Sequence, residues 1–355
     1  MARTVRILGA GLSGLSAAVN LALNGISVVV LERRSSVGMQ IKPNFQVLHP
    51  DGRTPQQYLE SLNLRPSFRS LAMQKIFFST CKRDLDLDLQ RKVYFIQRGG
   101  VESLECGLYR QALDLGVEFK FNEHVNETDA DVIAYGPRRI DAVAYGEVYE
   151  CDSFESKHFF MMYDDRYSPR GWYAYAVPYD GKLEVINCAS QPYVSQVKEL
   201  FKKAVAEKKL LRDAIGGRKP CGSIGGFGNA FIPKTAVKDG RLRTGEAAGF
   251  QDPFRGFGMK YALESGKMAA DAIAYKIDYD ALWKEHFMPK FKLDYSRRFF
   301  MSVLGSGLAD LVYRKFKSGQ TIEFVSGNIE GPLGGLLKTG FLQLELLKRR
   351  LTGCW

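Results

Sequence analysis

Only four histidines occur in the 355 residues, and none lies at metal-ligand spacing from another. The six cysteines, Cys81, Cys106, Cys151, Cys188, Cys221 and Cys354, are scattered without a CxxC pair. That argues against a zinc site, an iron–sulfur cluster and a disulfide scaffold, and it fits a reducing compartment. No metal is expected. No run of about 18 uninterrupted apolar residues is present, and the N-terminus enters a strand pattern by Val5 without a basic-then-apolar leader. The expectation is a soluble cytoplasmic protein, or at most one resting on a membrane surface. There is no helix-turn-helix, RNP-like or finger pattern, so nucleic acid is not an expected partner.

What the chain does have is globular: 45% hydrophobic and 25% charged residues, long enough to bury a large core. Its net charge of +11 asks for an anionic partner. The last 70 positions, from His286, hold 11 basic and 5 acidic residues, so they carry about half of that excess.

The first forty residues are the most informative. Thr4 to Leu8 reads as a buried strand, Gly9-Ala10-Gly11-Leu12-Ser13-Gly14 follows at once, Leu15 to Asn24 is helical, and a second strand from Ile26 ends on Glu32. This is a complete βαβ unit with GxGxxG in register. Gly9 permits the tight turn, Gly11 lets the backbone approach a pyrophosphate, and Gly14 lets helix and strand pack closely. The helix N-terminus then faces the phosphates, and Glu32 accepts from a ribose hydroxyl pair.

Further along, Gln56 to Leu64 reads as a helix, and Lys75 to Ser79 and Arg91 to Ile96 read as strands. Between those strands Asp84, Asp86 and Asp88 alternate with leucines, the pattern of a half-exposed strand rather than a metal cluster. Val101 to Leu115 is an amphipathic helix, Val117 to Phe121 a strand, and Asp131 to Gly136 a short apolar strand. Residues 147 to 190 read as several antiparallel strands, and Val194 to Lys208 as a charged helix.

A second strong signal lies in residues 240 to 272: a strand, Gly245-Glu246-Ala247-Ala248-Gly249, Asp252-Pro253, Gly256-Phe257-Gly258, then a helix from Met259. Taken with the N-terminal glycines and Glu32, it resembles the glutathione-reductase-type FAD proteins of the para-hydroxybenzoate hydroxylase fold. The resemblance implies FAD held by Gly9, Gly11, Leu12, Ser13, Gly14, Glu32, Arg33, Arg98, Gly136, Gly245, Glu246, Asp252, Pro253, Gly256, Phe257, Gly258 and Met259. Glu246 stands where Asp is usual, and the helix opening at Met259 would face the flavin edge that turns anionic on reduction. Hydroxylases of this fold usually carry Asp-Gly where this chain has Tyr135-Gly136.

The strand Tyr173-Ala174-Tyr175-Ala176-Val177-Pro178 resembles the aromatic substrate strand of the geranylgeranyl reductase family. It implies an isoprenoid site walled by Trp172, Tyr173, Tyr175 and Pro178, with Tyr173 and Tyr175 as catalytic candidates. Trp172 and Tyr173, as neighbours on a strand, are expected on opposite faces. The family's cysteine after the ribose carboxylate is missing from Val37 to Asn44.

The expected fold is α/β: a Rossmann-like FAD-binding domain with an inserted antiparallel-sheet substrate domain and a C-terminal helical region. The FAD domain takes residues 1–50, 95–145 and 222–285, the substrate domain 51–94 and 146–221, and the basic C-terminal region 286–355. The expected activity is FAD-dependent reduction of isoprenoid C=C bonds on a geranylgeranyl-type lipid or diphosphate. The alternative on the same fold is an FAD monooxygenase of an aromatic or polyketide substrate. With no second GxGxxG after a strand, the electron donor would be external, ferredoxin or NAD(P)H. Leu337, Phe341, Leu344, Leu347 and Leu351 recur at helical spacing beside Lys348-Arg349-Arg350, the pattern of a basic amphipathic helix for an acidic membrane.

Overall fold

The computed structural model describes residues 4–38, 41–151, 154, 157–229 and 231–322. The C-terminal amphipathic pattern from Leu337 to Leu351 lies outside the described residues. The chain divides into two compact units, the first from Met1–Ser70, Ile96–Arg139 and Asn229–Phe291, the second from Leu71–Phe95, Ile140–Gly228 and Lys292 onward.

In the first unit Val5–Leu8 is buried at all but Arg6, as a central parallel strand with covered faces requires. It pairs in parallel with Val28–Glu32 on one side and Val132–Ile133 on the other, Ile7 standing opposite Val30 and Val132. Glu118–Phe121 extends one edge, and the hairpin Val237–Lys238 with Arg241–Arg243 extends the other, completing six strands. The first helix spans Leu12–Leu23, three residues earlier than the apolar pattern indicates. It opens directly on the glycine turn because Gly11 is its N-cap.

The late helix Met259–Tyr275 packs against this first helix at very short range. A Cβ on Gly266 would lie 2.2 Å from the Ser13 carbonyl, and Ser16 Oγ donates to the Leu263 carbonyl at 2.7 Å. Beyond it Phe250 is fully buried against Trp283, Phe287 and Phe291, with ring centroids 5.0, 5.2 and 6.2 Å away.

Residues 51–70, assigned from sequence to the substrate domain, belong to this first unit instead. The helix Pro55–Glu60 is capped by Thr54 and anchored by Tyr58, whose hydroxyl donates to Glu264 Oε1 at 3.0 Å. Nor does 286–355 form one region: the helix Tyr279–Leu304 starts in the first unit and continues into the second.

The second unit is a mixed sheet. Its order is Gly222–Gly228, Ala142–Glu150, Lys182–Ser190, Ala174–Tyr179, His158–Tyr163, Ser70–Thr80, Asp84–Arg98 and Thr321–Ile322. Strands from 142 to 228 pair antiparallel, but Ser70–Thr80 joins His158–Tyr163 in parallel. In Asp84–Arg98, Leu85 and Leu87 are buried, while Asp84 and Asp88 reach Lys208 and Lys75 at 2.7 and 3.5 Å. One sheet face, with Phe160, Met162, Leu183 and Val185, is covered by the helices Val197–Glu207 and Lys209–Ile215 through Phe201 and Leu211. No helix among the described residues is long and apolar enough to cross a membrane.

Candidate functional site

The glycine turn of the first unit is fixed sterically. Gly9 has φ +109°, and a Cβ there would sit 2.6 Å from the Ala134 carbonyl oxygen; on Gly14 it would sit 2.0 Å from the Gly9 oxygen. Gly11 differs, since a Cβ on it meets only the Ala134 oxygen at 3.8 Å. It caps the first helix without a side-chain hydrogen bond, and the first turn has no acid. The open amides and positive helix end suit a phosphate.

Glu32 is buried and bridges the turn to the end of its own strand: Ala10 N donates to Oε2 at 2.8 Å and Arg34 N to Oε1 at 3.0 Å. Each oxygen keeps a further lone pair for a ribose hydroxyl. Arg33, the next residue, is exposed.

The late motif is seated on the same helix N-terminus. A Cβ on Gly245 would lie 3.0 Å from Ser13 Oγ, and Gly245 N donates to Ser265 Oγ at 2.8 Å. Leu12 and Ser13 are buried beneath it. Glu246 in the following turn reaches towards the next helix, its Oε1 lying 4.0 Å from where a Cβ on Gly258 would stand. The extra methylene relative to Asp is therefore accommodated along the Gly258 backbone. Gly258 caps Met259–Tyr275 without a side-chain bond, and no acid occupies that first turn. Both helix ends thus carry the donor chemistry that FAD needs at its pyrophosphate and at its reduced ring. Gly136, with φ +92°, has nothing within 4 Å of an added Cβ, which leaves its backbone open to a close ligand.

Asp252 also shapes the loop of its own motif. It is buried, and Oδ1 accepts from Phe254 N at 2.7 Å and Arg255 N at 3.2 Å, shaping the loop that Gly256 closes by donating to the Asp252 carbonyl at 2.8 Å. Pro253 and Met259 are buried. The Phe257 ring lies tilted against His49, with centroids 5.0 Å apart, and no spacing in the sequence marks His49. His49 is partly exposed yet neutral, its pKa held down to about 3 by desolvation and by the nearby charge of Arg255.

Arg98 is largely buried in an ion pair with Glu105 and donates to Gln46 Oε1 at 3.1 Å. Glu105 and Gln46, which sequence reasoning passed over, hold this guanidinium in place. Burial raises the Glu246 carboxyl from 4.5 to about 7, and the Arg98 charge opposes that rise. The folded chain thus binds this proton more tightly than the unfolded chain, so stability is highest below the ordinary carboxyl value. It falls as pH rises towards 7 and is level beyond. Unfolding free energies of the flavin-free chain from urea titrations at about pH 5 and pH 8 are expected to differ by on the order of 2 kcal/mol more than those of Glu246→Gln.

In the second unit the sheet face opposite the two helices is aromatic. Ring contacts run from Phe78 to Tyr163 (5.8 Å), Tyr163 to Tyr173 (5.8 Å), Tyr173 to Tyr175 (6.1 Å), Tyr175 to Phe95 (6.3 Å) and Phe95 to Phe159 (5.2 Å). Pro178 is buried in the same strand as Tyr175. Trp172 and Tyr173 do not alternate across the sheet, because the strand begins only at Ala174. Their rings stack instead, 6.3 Å apart, and Trp172 Nε1 donates to Ser190 Oγ at 2.7 Å. Glu184, fully buried, stands opposite Val177 on the face that carries Tyr175. Burial and this nearby carboxylate push the Tyr175 hydroxyl well above its ordinary pKa, so it stays protonated. A charged group on an otherwise apolar sheet face leaves no periodic trace.

Comparison with known proteins agrees with this geometry. The sequence family of NAD(P)-binding Rossmann-like domains matches residues 7–55. Digeranylgeranylglycerophospholipid reductase 2 of Methanopyrus kandleri is 22% identical over 342 residues, covering 81% of this chain and 84% of that protein. The crystal structure of a geranylgeranyl bacteriochlorophyll reductase-like protein from Thermoplasma acidophilum superposes with a TM-score of 0.74 at 14% identity, covering 99% of both chains. A flavin-dependent brominase superposes with a TM-score of 0.64 at 15% identity, covering 99% of this chain and 94% of its own. The chain is thus similar in sequence to a digeranylgeranylglycerophospholipid reductase, and it shares the fold of a geranylgeranyl reductase-like protein and of a flavin-dependent brominase, with two glycine-capped helix ends and the Glu32 bridge in its Rossmann-like unit.

Proposed function

We propose that the protein reduces carbon–carbon double bonds of an isoprenoid chain carried on a lipid or a diphosphate. The observation that carries this reading is the unbroken aromatic row from Phe78 through Tyr163, Tyr173, Tyr175 and Phe95 to Phe159. It forms an extended and largely buried apolar sheet face matched to a polyene, and the reductase of Methanopyrus kandleri supports the substrate class. FAD supplies the hydride when reduced by an external donor, ferredoxin or NAD(P)H.

The chain's own residues bind and orient the alkene and keep water away from it. An unactivated alkene has no carbonyl to polarise, so the aromatic faces of Tyr173 and Tyr175 hold positive charge that develops on carbon. Tyr175 keeps its hydroxyl proton next to Glu184 throughout the working pH range. In the first unit, the residues proposed to hold FAD are those of the glycine turn, Glu32, Arg98 and the segment from Gly245 to Met259.

The test is anaerobic. The dithionite-reduced holoenzyme is mixed with a geranylgeranyl-bearing phospholipid, and flavin reoxidation is followed together with the substrate's mass. Reoxidation with addition of two hydrogens per double bond is expected. A flavin that stays reduced until oxygen enters, and then hydroxylates an aromatic substrate, would overturn the reading in favour of a monooxygenase.

A further inference from the structure

The short helix Ser306–Tyr313 is amphipathic the wrong way round for a helix that ends at water. Its inner face buries Ser306, Ala309 and Asp310, the Asp310 carboxylate accepting from Thr80 Oγ1 and from Cys81 Sγ. Its outer face presents Leu311 at 53% and Val312 at 44% exposure, and the end of the preceding helix presents Val303 at 60% and Leu304 at 52%. Exposed single apolar residues are ordinary, but a buried carboxylate behind four exposed aliphatic side chains is not.

The bend that displays them is fixed. Gly305 takes φ +57°, Ser306 N donates to Asp165 Oδ2 at 2.8 Å, and Tyr313 stacks on Phe78 at 3.9 Å. The rim is cationic: Arg314, Lys315 and Lys317 follow directly and are exposed, as are Lys82 and Arg83, and Arg83 Nη1 donates to the Arg314 carbonyl at 2.6 Å. From residue 299 to 322 the only acid is the buried Asp310.

We infer that this surface, Val303, Leu304, Leu311 and Val312 within a ring of Lys82, Arg83, Arg314, Lys315 and Lys317, docks the protein on an anionic phospholipid bilayer. Aliphatic side chains enter the acyl boundary while the cations meet phosphate headgroups, the arrangement of an interfacial rather than a spanning segment. A second copy of the chain fits less well, because two identical cationic rims repel each other. The inference goes beyond the proposed reaction and stands on the surface alone, although a lipid substrate would give such docking a purpose.

The experiment uses the full-length holoprotein and flotation on vesicles of phosphatidylcholine, with and without roughly 30% phosphatidylglycerol. The parent protein is expected to float with the anionic vesicles and to be released by salt. Leu311→Glu with Val312→Glu is expected to lower partitioning at least about ten-fold, and Arg314→Glu with Lys315→Glu by a similar factor, both variants keeping flavin colour and melting temperature. Parent protein that stays unbound on anionic vesicles, or variants that float as well as it does, would overturn the inference. So would a dimer in sedimentation that the Glu substitutions split while flotation stays unchanged. Flotation is read without turnover, so a failed isoprenoid assay leaves this result independent.

Discussion

Gly14→Ala is expected to yield a chain that neither folds stably nor holds flavin, whereas Gly11→Ala folds and stays colourless. The two glycines belong to one motif, yet the space around them differs. At Gly14 an added Cβ would be 2.0 Å from the Gly9 oxygen and 3.2 Å from the Ala134 Cβ. Both neighbours belong to the strand ends on which the first helix is seated, and backbone cannot swing aside as a long side chain does. Overpacking at such a site costs about 3 kcal/mol or more. At Gly11 the new methyl meets only the Ala134 oxygen at 3.8 Å, so the fold tolerates it. The methyl instead enters the space in front of the uncapped helix amides, where a pyrophosphate must approach. A loss of FAD affinity on the order of a hundred-fold is expected there. Urea unfolding followed by circular dichroism reads the first effect and flavin fluorescence titration reads the second. Equal behaviour of the two variants in both assays would sink the division of roles.

The βαβ unit is legible in the sequence because every part of it is local: the strand, turn and helix are neighbours along the chain, and the glycine spacing encodes the turn directly. The assignment of residues 51–70 fails for the opposite reason. What ties that segment to the first unit is Tyr58 meeting Glu264 and Asn20 Nδ2 donating to the Leu62 carbonyl at 3.1 Å, pairs separated by 206 and 42 positions. Neither pair has a periodicity to reveal it.

The candidate site divides along the same line. Motif positions such as Gly245 and Gly258 come together on the first helix and at the start of the next, because backbone geometry fixes them. The residues around other candidate positions carry no spacing signature: Gln46 on Arg98 and His49 against Phe257 come from distant elements, while Glu105 beside Arg98 and Glu184 beside Tyr175 come from the next helix and the next strand. Asp252 adds a role no motif spells out, since its carboxylate also shapes its own loop. The alternation argument for Trp172 and Tyr173 fails because it needs a regular strand, and the strand begins only at Ala174, after both of them.

Glu32→Gln, nearly isosteric, is expected to be almost as damaging as Glu32→Ala. The reason is the count of donors. Ala10 N meets one carboxylate oxygen at 2.8 Å and Arg34 N meets the other at 3.0 Å, so both oxygens must accept. A glutamine has one acceptor oxygen; whichever way its amide turns, an NH2 group faces a backbone N–H. The bridge from the glycine turn to the strand end is then broken on one side, and a buried donor is left unsatisfied at a cost of about 1–3 kcal/mol. A charge-assisted bond is lost as well, together with one acceptor for a ribose hydroxyl. Flavin affinity is expected to fall by about a hundred-fold, with the urea midpoint of the flavin-free chain lowered in Glu32→Gln and Glu32→Ala alike. Glu32→Asp keeps both acceptors on a shorter stem and should recover part of the flavin affinity. If Glu32→Gln bound flavin like the parent while Glu32→Asp did not, side-chain length rather than acceptor count would govern this position.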